Sequence, residues 1–234
     1  MSKDNLRPEA IKMPIHRMKK VELVWMYKHR CKHHHTYLEH YSCYLTEHPN
    51  KQRIGFLDIE ASNLDADYGI MLSYCIKDGA SKKIHEGAIR FEDVQKAKAG
   101  CEDKKLCQKL IKDILKYDIL VTWYGRKFDV PFIRTRSIIC GVDFPSFGSL
   151  IHIDAYYFAR FRLKLSSNRL ENVCRQLLGK TLKTHIQAKY WRGGVRGDKK
   201  SLKYILDHNR KDVIDLEKVY YKLLDYARRS DTSI

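Results

Sequence analysis

Residues 53–62 read Arg53-Ile54-Gly55-Phe56-Leu57-Asp58-Ile59-Glu60-Ala61-Ser62. Ile54, Phe56, Leu57 and Ile59 predict a buried strand. Strand side chains alternate between faces, so Asp58 and Glu60 share one. Two carboxylates side by side at the end of an apolar strand repel each other, and burial makes that costly unless a cation neutralises them. Hard divalent ions such as Mg²⁺ or Mn²⁺ take carboxylate oxygens. The plainer reading is a strand end whose two acids face water. Further acids brought to the same place would decide between the two.

Two candidates lie downstream. Residues 119–124 form a short apolar run of strand formers that Gly125 ends, and Asp129 precedes Val130-Pro131. Proline suits the first turn of a helix, so Asp129 fits an N-cap. The carboxyl end of a central strand is also where ligands bind in open α/β sheets. From 198 to 229 the chain has helical spacing without proline or glycine, and Leu202, Ile205, Leu206, Val213, Leu216, Val219, Tyr220 and Leu223 supply the apolar stripe. His208 and Asp212 are four apart and share a helical face. The plainer reading there is a solvent-facing His–Asp pair. Asp215 is a substitute for Asp212, without a histidine four residues before it.

These three stretches, Asp58-Ile59-Glu60, Tyr124-Gly-Arg-Lys-Phe-Asp129 and His208-Asn-Arg-Lys-Asp212, resemble in order the three motifs of the DEDD 3′–5′ exonucleases. The chain is similar by motif to the exonuclease domains of family B DNA polymerases and to stand-alone predicted nucleases of the same superfamily, over roughly residues 53–225. Two departures stand out. The polymerase domains carry Asn where this chain has Tyr124. The last motif joins the histidine of one subclass to the three-residue spacing of the tyrosine subclass.

The resemblance implies an α/β, RNase H-like mixed five-stranded sheet flanked by helices. It implies a metal-dependent 3′–5′ exonuclease in which Asp58, Glu60, Asp129 and Asp212 hold two Mg²⁺ or Mn²⁺ ions. His208 would accept the proton of the attacking water, and nucleoside 5′-monophosphates would be released. Single-stranded DNA is the favoured substrate. An RNase, a structure-specific endonuclease of the same fold, or a non-catalytic nucleic-acid-binding protein are the alternatives. A polymerase or repair partner is left open.

Composition agrees with a polyanionic partner. The 234 residues carry a formal net charge of +17, with 44% hydrophobic residues for a core. No run approaches the length of a membrane span and no secretory leader is visible. Seven cysteines without a disulfide-like rhythm suit a reducing compartment, so a cytoplasmic location is expected. Residues 1–15 read as a loose N-terminus, 16–52 as a basic His/Cys-rich segment, and 53–234 as the nuclease domain. Within the last, strands are expected at 71–77, 83–91 and 150–157, with Asp78-Gly79 as a turn, and helices at 101–117, 130–140 and 167–178.

The N-terminal extension holds Cys31-Lys-His33-His34-His35-Thr-Tyr-Leu-Glu-His40-Tyr-Ser-Cys43. His40 and Cys43 have a usual zinc-ligand spacing, and Cys31 with one of the nearby histidines supplies the other half. Four of Cys31, His33, His35, His40 and Cys43 are candidate ligands for a structural zinc. The plainer reading is a basic helix or loop on nucleic acid with its cysteines buried. Later, Tyr190-Trp191-Arg192-Gly193-Gly194-Val195-Arg196-Gly197-Asp198-Lys199 mixes aromatics, glycines and cations. Such a stretch lets backbone approach phosphate and bases stack, or is a solvated loop between helices. With Tyr124, Phe128 and Arg134, residues Arg192, Arg196 and Lys199 are the candidate nucleic-acid contacts. Arg134 and Arg136, just after the second motif, are both candidates to face substrate, but two apart on a helix they cannot both point the same way.

Overall fold

The structure is a computed structural model that describes residues 18–48, 52–146 and 149–226. The expected loose segment 1–15 lies outside the described residues. The quoted stretch forms β1 (Ile54–Ala61), the middle strand of the sheet. On one side β1 pairs antiparallel with β2 (Met71–Asp78), which pairs antiparallel with β3 (Ile84–Ala88). On the other side β1 runs parallel to β4 (Ile119–Thr122), and β4 parallel to β5 (Ile151–Asp154). The order is β3-β2-β1-β4-β5, the mixed five-stranded α/β sheet expected. The helices are α1 (Lys20–Lys28), α2 (Tyr41–Glu47), α3 (Phe91–Lys96), α4 (Lys104–Ile114), α5 (Asp129–Ile139), α6 (Ala155–Arg162), α7 (Leu170–Leu178), α8 (Ala188–Val195) and α9 (Lys199–Leu223).

The alternation of β1 divides the core in two. Leu57 and Ile59 pack with Leu106, Leu110 and Ile114 of α4 and Phe132 and Ile133 of α5. Phe56 turns to the other face, against Val213, Leu216, Val219 and Tyr220 of α9, with Val173 and Cys174 of α7 beside them. Burying these apolar side chains supplies about 1.5–3 kcal/mol apiece before the entropy of ordering the chain. Asp58 and Glu60 continue the Phe56 side of the strand and so lie under α9.

Three expectations are corrected. The run expected as a strand over 83–91 is β3 only to Ala88, and α3 begins at Phe91. The strand expected over 150–157 stops at Asp154, whose carboxylate accepts the Tyr156 backbone N–H at 3.2 Å and caps α6. A side-chain cap overrides the strand preference of Tyr156 and Tyr157. The glycine-rich stretch is helix α8 as far as Val195, and Gly197, with a left-handed φ of 78°, lies in the turn before α9. Gly193 and Gly194 let α8 lie closely on α9, for a Cβ on Gly194 would stand 2.7 Å from Ile205 Cδ1 and one on Gly193 2.1 Å from Ser201 Oγ. Their smallness serves this helix packing. The long final helix is capped by Asp198, which accepts the Ser201 N–H at 2.8 Å. Beyond Leu223 the chain makes a 3-10 turn, and 227–229 of that expectation lie outside the described residues.

Arg136 is no substrate contact. It is 2% exposed and forms a two-pronged pair with the fully buried Asp103, Nε to Oδ2 at 2.9 Å and Nη2 to Oδ1 at 2.7 Å. It also donates to the backbone carbonyls of Ala66 and Gly100. Asp103 in turn accepts the Met71 N–H, so one ion pair ties α4, α5 and the start of β2.

The extension, as far as it is described, is a small α1–turn–α2 unit. Met26, Tyr37, Tyr41, Tyr44 and Leu45 pack together with Cys31 and Cys43. Asp118, just before β4, holds it to the sheet. The Tyr41 hydroxyl donates to Asp118 Oδ1 at 3.2 Å, while Arg53 Nε and Nη2 bind the same carboxylate at 2.9 and 2.6 Å. The contact is at the entry end of β1 and β4, away from Glu60. Among the described residues no helix is long and apolar enough to cross a membrane.

Candidate active site

The side chains of Asp58, Glu60, Asp129, His208 and Asp212 converge where β1 ends, α5 begins and α9 crosses. Asp129 is the first residue of α5 rather than its N-cap, which is Phe128. Its Oδ1 accepts the Ile59 backbone N–H at 3.1 Å, which locks the helix start to the acid-bearing strand. From α9, Asn209 Nδ2 donates to Asp58 Oδ2 at 2.7 Å. His208 and Asp212 are buried and do not face solvent. His208 Nε2 stands 3.4 Å from Glu60 Oε1 and 3.5 Å from Asp212 Oδ2. Asp215 points elsewhere, accepting from Thr181 Oγ1 and the Leu182 N–H, so it is no substitute for Asp212.

Electrostatics follow from crowding. Burial first, then the carboxylates of Asp129, Asp212 and Glu60, push Asp58 well above its ordinary pKa. Burial, then Asp212, raise Glu60 to about 8. Burial raises Asp129 to about 7, against the hydrogen bonds that favour its charge. Four acids thus cannot all ionise at neutral pH without added positive charge. Lys183 supplies some of it, with Nζ 2.6 Å from Asp212 Oδ2. Burial opposes the Lys183 charge, but Asp212, then Asp58 and Glu60, hold its pKa above the usual value. The other Asp212 oxygen, Oδ1, is buried with no hydrogen-bond partner. Glu60, His208 and Asp212 each offer a ligand atom, and these lie within 4.8 Å of one another. An orphaned carboxylate oxygen among carboxylate and imidazole donors fits a divalent cation of the Mg²⁺ or Mn²⁺ kind.

A stability test follows for the protein in magnesium-free buffer. The folded chain keeps a proton on Glu60 that the unfolded chain releases near pH 4.5. That contribution is fully present below the unfolded value and is lost as pH rises through about 8. Melting temperature should therefore fall from about pH 5 to pH 9, and less steeply in Glu60→Gln. An equal slope in that variant would remove Glu60 as its source.

Sequence reasoning missed three residues here. Lys183 and Thr184 lie in the irregular link between α7 and α8, and nothing local marks them. Thr184 Oγ1 is 2.8 Å from His208 Nδ1. Asp154 accepts the backbone N–H groups of Tyr124 and Arg126 at 2.8 and 2.9 Å, shaping the turn between β4 and α5. In that turn Tyr124 has a left-handed φ of 65° and an exposed ring, 4.8 Å from that of Tyr156. Of the other candidate nucleic-acid contacts, Phe128 is half-buried against the core and touches Phe132. Arg134 is exposed and lies over the Phe144 ring at 5.4 Å. Arg192, Arg196 and Lys199 are exposed on α8, just after it, and at the start of α9.

Buried and half-buried acids thus gather between the middle strand of a five-stranded mixed sheet and α9. A sequence model of the RNase_H superfamily matches residues 55–224, and the chain belongs to that superfamily. A DNA polymerase of Methanocaldococcus jannaschii is 27% identical over 158 aligned residues, taking in 57% of this chain and 9% of the polymerase. The family B DNA polymerase of Pyrobaculum calidifontis shares the fold, with a TM-score of 0.58 at 16% identity over 75% of this chain and 25% of its own. The chain thus spans a small part of the length of these relatives. It is an RNase H-like protein related in fold to polymerase exonuclease domains.

Proposed function

We propose that this chain is a metal-dependent 3′–5′ exonuclease that hydrolyses single-stranded DNA and releases nucleoside 5′-monophosphates. The observation that carries the reading is the crowded, mutually destabilising set of half-buried Asp58 and Glu60 with buried Asp129 and Asp212, with an unpartnered Asp212 oxygen, in a chain of net charge +17. A module that only binds nucleic acid gains nothing from concentrating acids, since they repel phosphate.

Asp58, Glu60, Asp129 and Asp212 would hold divalent ions, which supply Lewis-acid stabilisation of the charge developing on the phosphate. The chain's own residues do the rest. The Ile59 N–H and the Asn209 amide fix the carboxylates of Asp129 and Asp58. Burial holds the His208 pKa down, so the ring is neutral near pH 7 and its lone pair is free. With Nδ1–H given to Thr184 Oγ1, Nε2 faces the cluster and accepts the proton of the attacking water. Lys183 steadies Asp212 and places one positive charge beside the incoming phosphate. The exposed Tyr124 ring beside the site offers a face on which a terminal base stacks. Arg192, Arg196 and Lys199 supply charge for the strand beyond it.

His208→Ala should lower turnover by about 10²–10⁴ and remove the acidic limb of the pH–rate profile. His208→Tyr should keep part of the activity, as the tyrosine subclass the motif resembles implies. An unchanged profile in His208→Ala would place the base elsewhere. The function itself is tested with 3′-labelled and 5′-labelled DNA and RNA strands, incubated with Mg²⁺ or Mn²⁺ and with chelator. Stepwise loss from the 3′ end of DNA, abolished by chelator, is expected. Cleavage of RNA, or internal cleavage, would favour the ribonuclease or endonuclease reading, and no cleavage a binding role.

A further inference from the structure

We infer that residues 20–48 form a structural zinc module whose ligands are Cys31, His33, His40 and Cys43, with His35 outside the set. The four ligand atoms lie within 4.8 Å of one another. His33 Nδ1 is 3.2 Å from Cys43 Sγ and 3.9 Å from Cys31 Sγ, and His40 Nδ1 is 3.6 Å from Cys31 Sγ. Zinc bonds of about 2.3 Å to sulfur and 2.0–2.1 Å to nitrogen place tetrahedral ligand atoms about 3.3–3.8 Å apart. The observed separations straddle that range. Both histidines turn the same ring nitrogen, Nδ1, to the thiols.

The backbone is built to hold this arrangement. Cys31 and His33 sit on a tight turn in which the Cys31 N–H bonds the His35 carbonyl and the His34 N–H bonds the Cys31 carbonyl. His34 adopts a left-handed φ of 64° to close it. His40 is the N-cap residue of α2, and Cys43 lies in the first turn of that helix, its N–H on the His40 carbonyl. A turn and a helix start thus each contribute one thiol and one imidazole. The His35 ring packs edge-on to His40 and contributes none of the grouped atoms.

Energetics give the metal its purpose. Apart from the two cysteines, the module buries one methionine, three tyrosines and one leucine as its core. A core of that size does not fold a segment this short without a metal, a disulfide or a partner surface. Paired thiolate and imidazole donors in a tetrahedral set select zinc, whereas the carboxylates near Asp58 suit harder ions. Binding releases the thiol protons to solvent. The fixed module then presents Tyr41 to Asp118 and covers the entry end of β4.

The full chain, purified without chelator and without a metal-affinity column, should carry about one zinc by elemental analysis. Cys31→Ser with Cys43→Ser should lose it, and any zinc left in that variant measures what the acid cluster takes. His35→Ala should keep it. Cobalt replacement in the parent should give a near-ultraviolet thiolate-to-cobalt band and visible absorption of tetrahedral intensity. His33→Cys, a ligand-for-ligand swap, should retain metal with a stronger thiolate band, so the test stands even where the double variant folds poorly. Limited proteolysis of the zinc-free chain should cut within 18–48 and spare the sheet domain. A zinc-free parent, equal zinc in the double variant, loss of zinc in His35→Ala, or a Cys31–Cys43 disulfide in fresh protein would each overturn the assignment.

Discussion

Asp58→Asn should reduce hydrolysis by about 10³ or more while leaving strand binding near the parent level. Under the proposed reading its carboxylate is one of the few groups holding the divalent ions, whose stabilisation of phosphate charge is worth several kcal/mol. Binding draws instead on cations outside the cluster, such as Arg192 and Arg196. The same substitution should not destabilise the metal-free fold. Asp58 is pushed towards its neutral form by burial and by three neighbouring acids, so an uncharged amide relieves repulsion. Asp212→Ala should abolish cutting likewise, and it frees Lys183 from its carboxylate. Rates are read on a 3′-labelled strand, affinity by fluorescence anisotropy and stability by melting. Parent-level cutting by both variants would mean that the chemistry lies elsewhere.

Arg136→Leu should cost about 3–5 kcal/mol of folding stability, the largest structural loss expected of a single substitution here. The guanidinium neutralises a carboxylate with no exposure to water and serves the Ala66 and Gly100 carbonyls as well. Leucine leaves Asp103 charged, buried and short of donors, with the Met71 N–H and the weak Cys140 thiol remaining. Arg134→Ala, two residues earlier and exposed, removes a stacking contact on Phe144 and should stay within about 1 kcal/mol of the parent. Urea unfolding of the two variants measures the contrast. An Arg136→Leu midpoint equal to the parent's would show that the pair contributes nothing net.

Those two arginines mark how far the sequence could be read. Patterns that depend on local chemistry were legible: the alternating β1 with its two acids, the apolar run of β4, and the stripe along α9 that brings His208 and Asp212 onto one face. The fold class came from the resemblance of the three motifs, in order, to those of the DEDD exonucleases. Where the chain is overridden by tertiary contacts, the reading failed. Gly193 and Gly194 look like loop residues, yet the close seat of α8 on α9 makes them helical. Tyr156 and Tyr157 look like strand, yet the Asp154 cap starts α6. The burial of Arg136 depends on Asp103, 33 residues earlier, which no window shows. Lys183 and Thr184 reach the acid cluster from an irregular link, so their place there is set by the packing of α7 and α8 rather than by any motif.

The same long-range assembly sets an order of events during synthesis. Asp58 and Glu60 leave the ribosome early, Asp129 later, and His208 and Asp212 only with α9. Until α9 lies across β1, nothing gives Asp58 its Asn209 amide or brings an imidazole to Glu60. Under the proposed reading, a growing chain therefore has no complete site until α9 has docked.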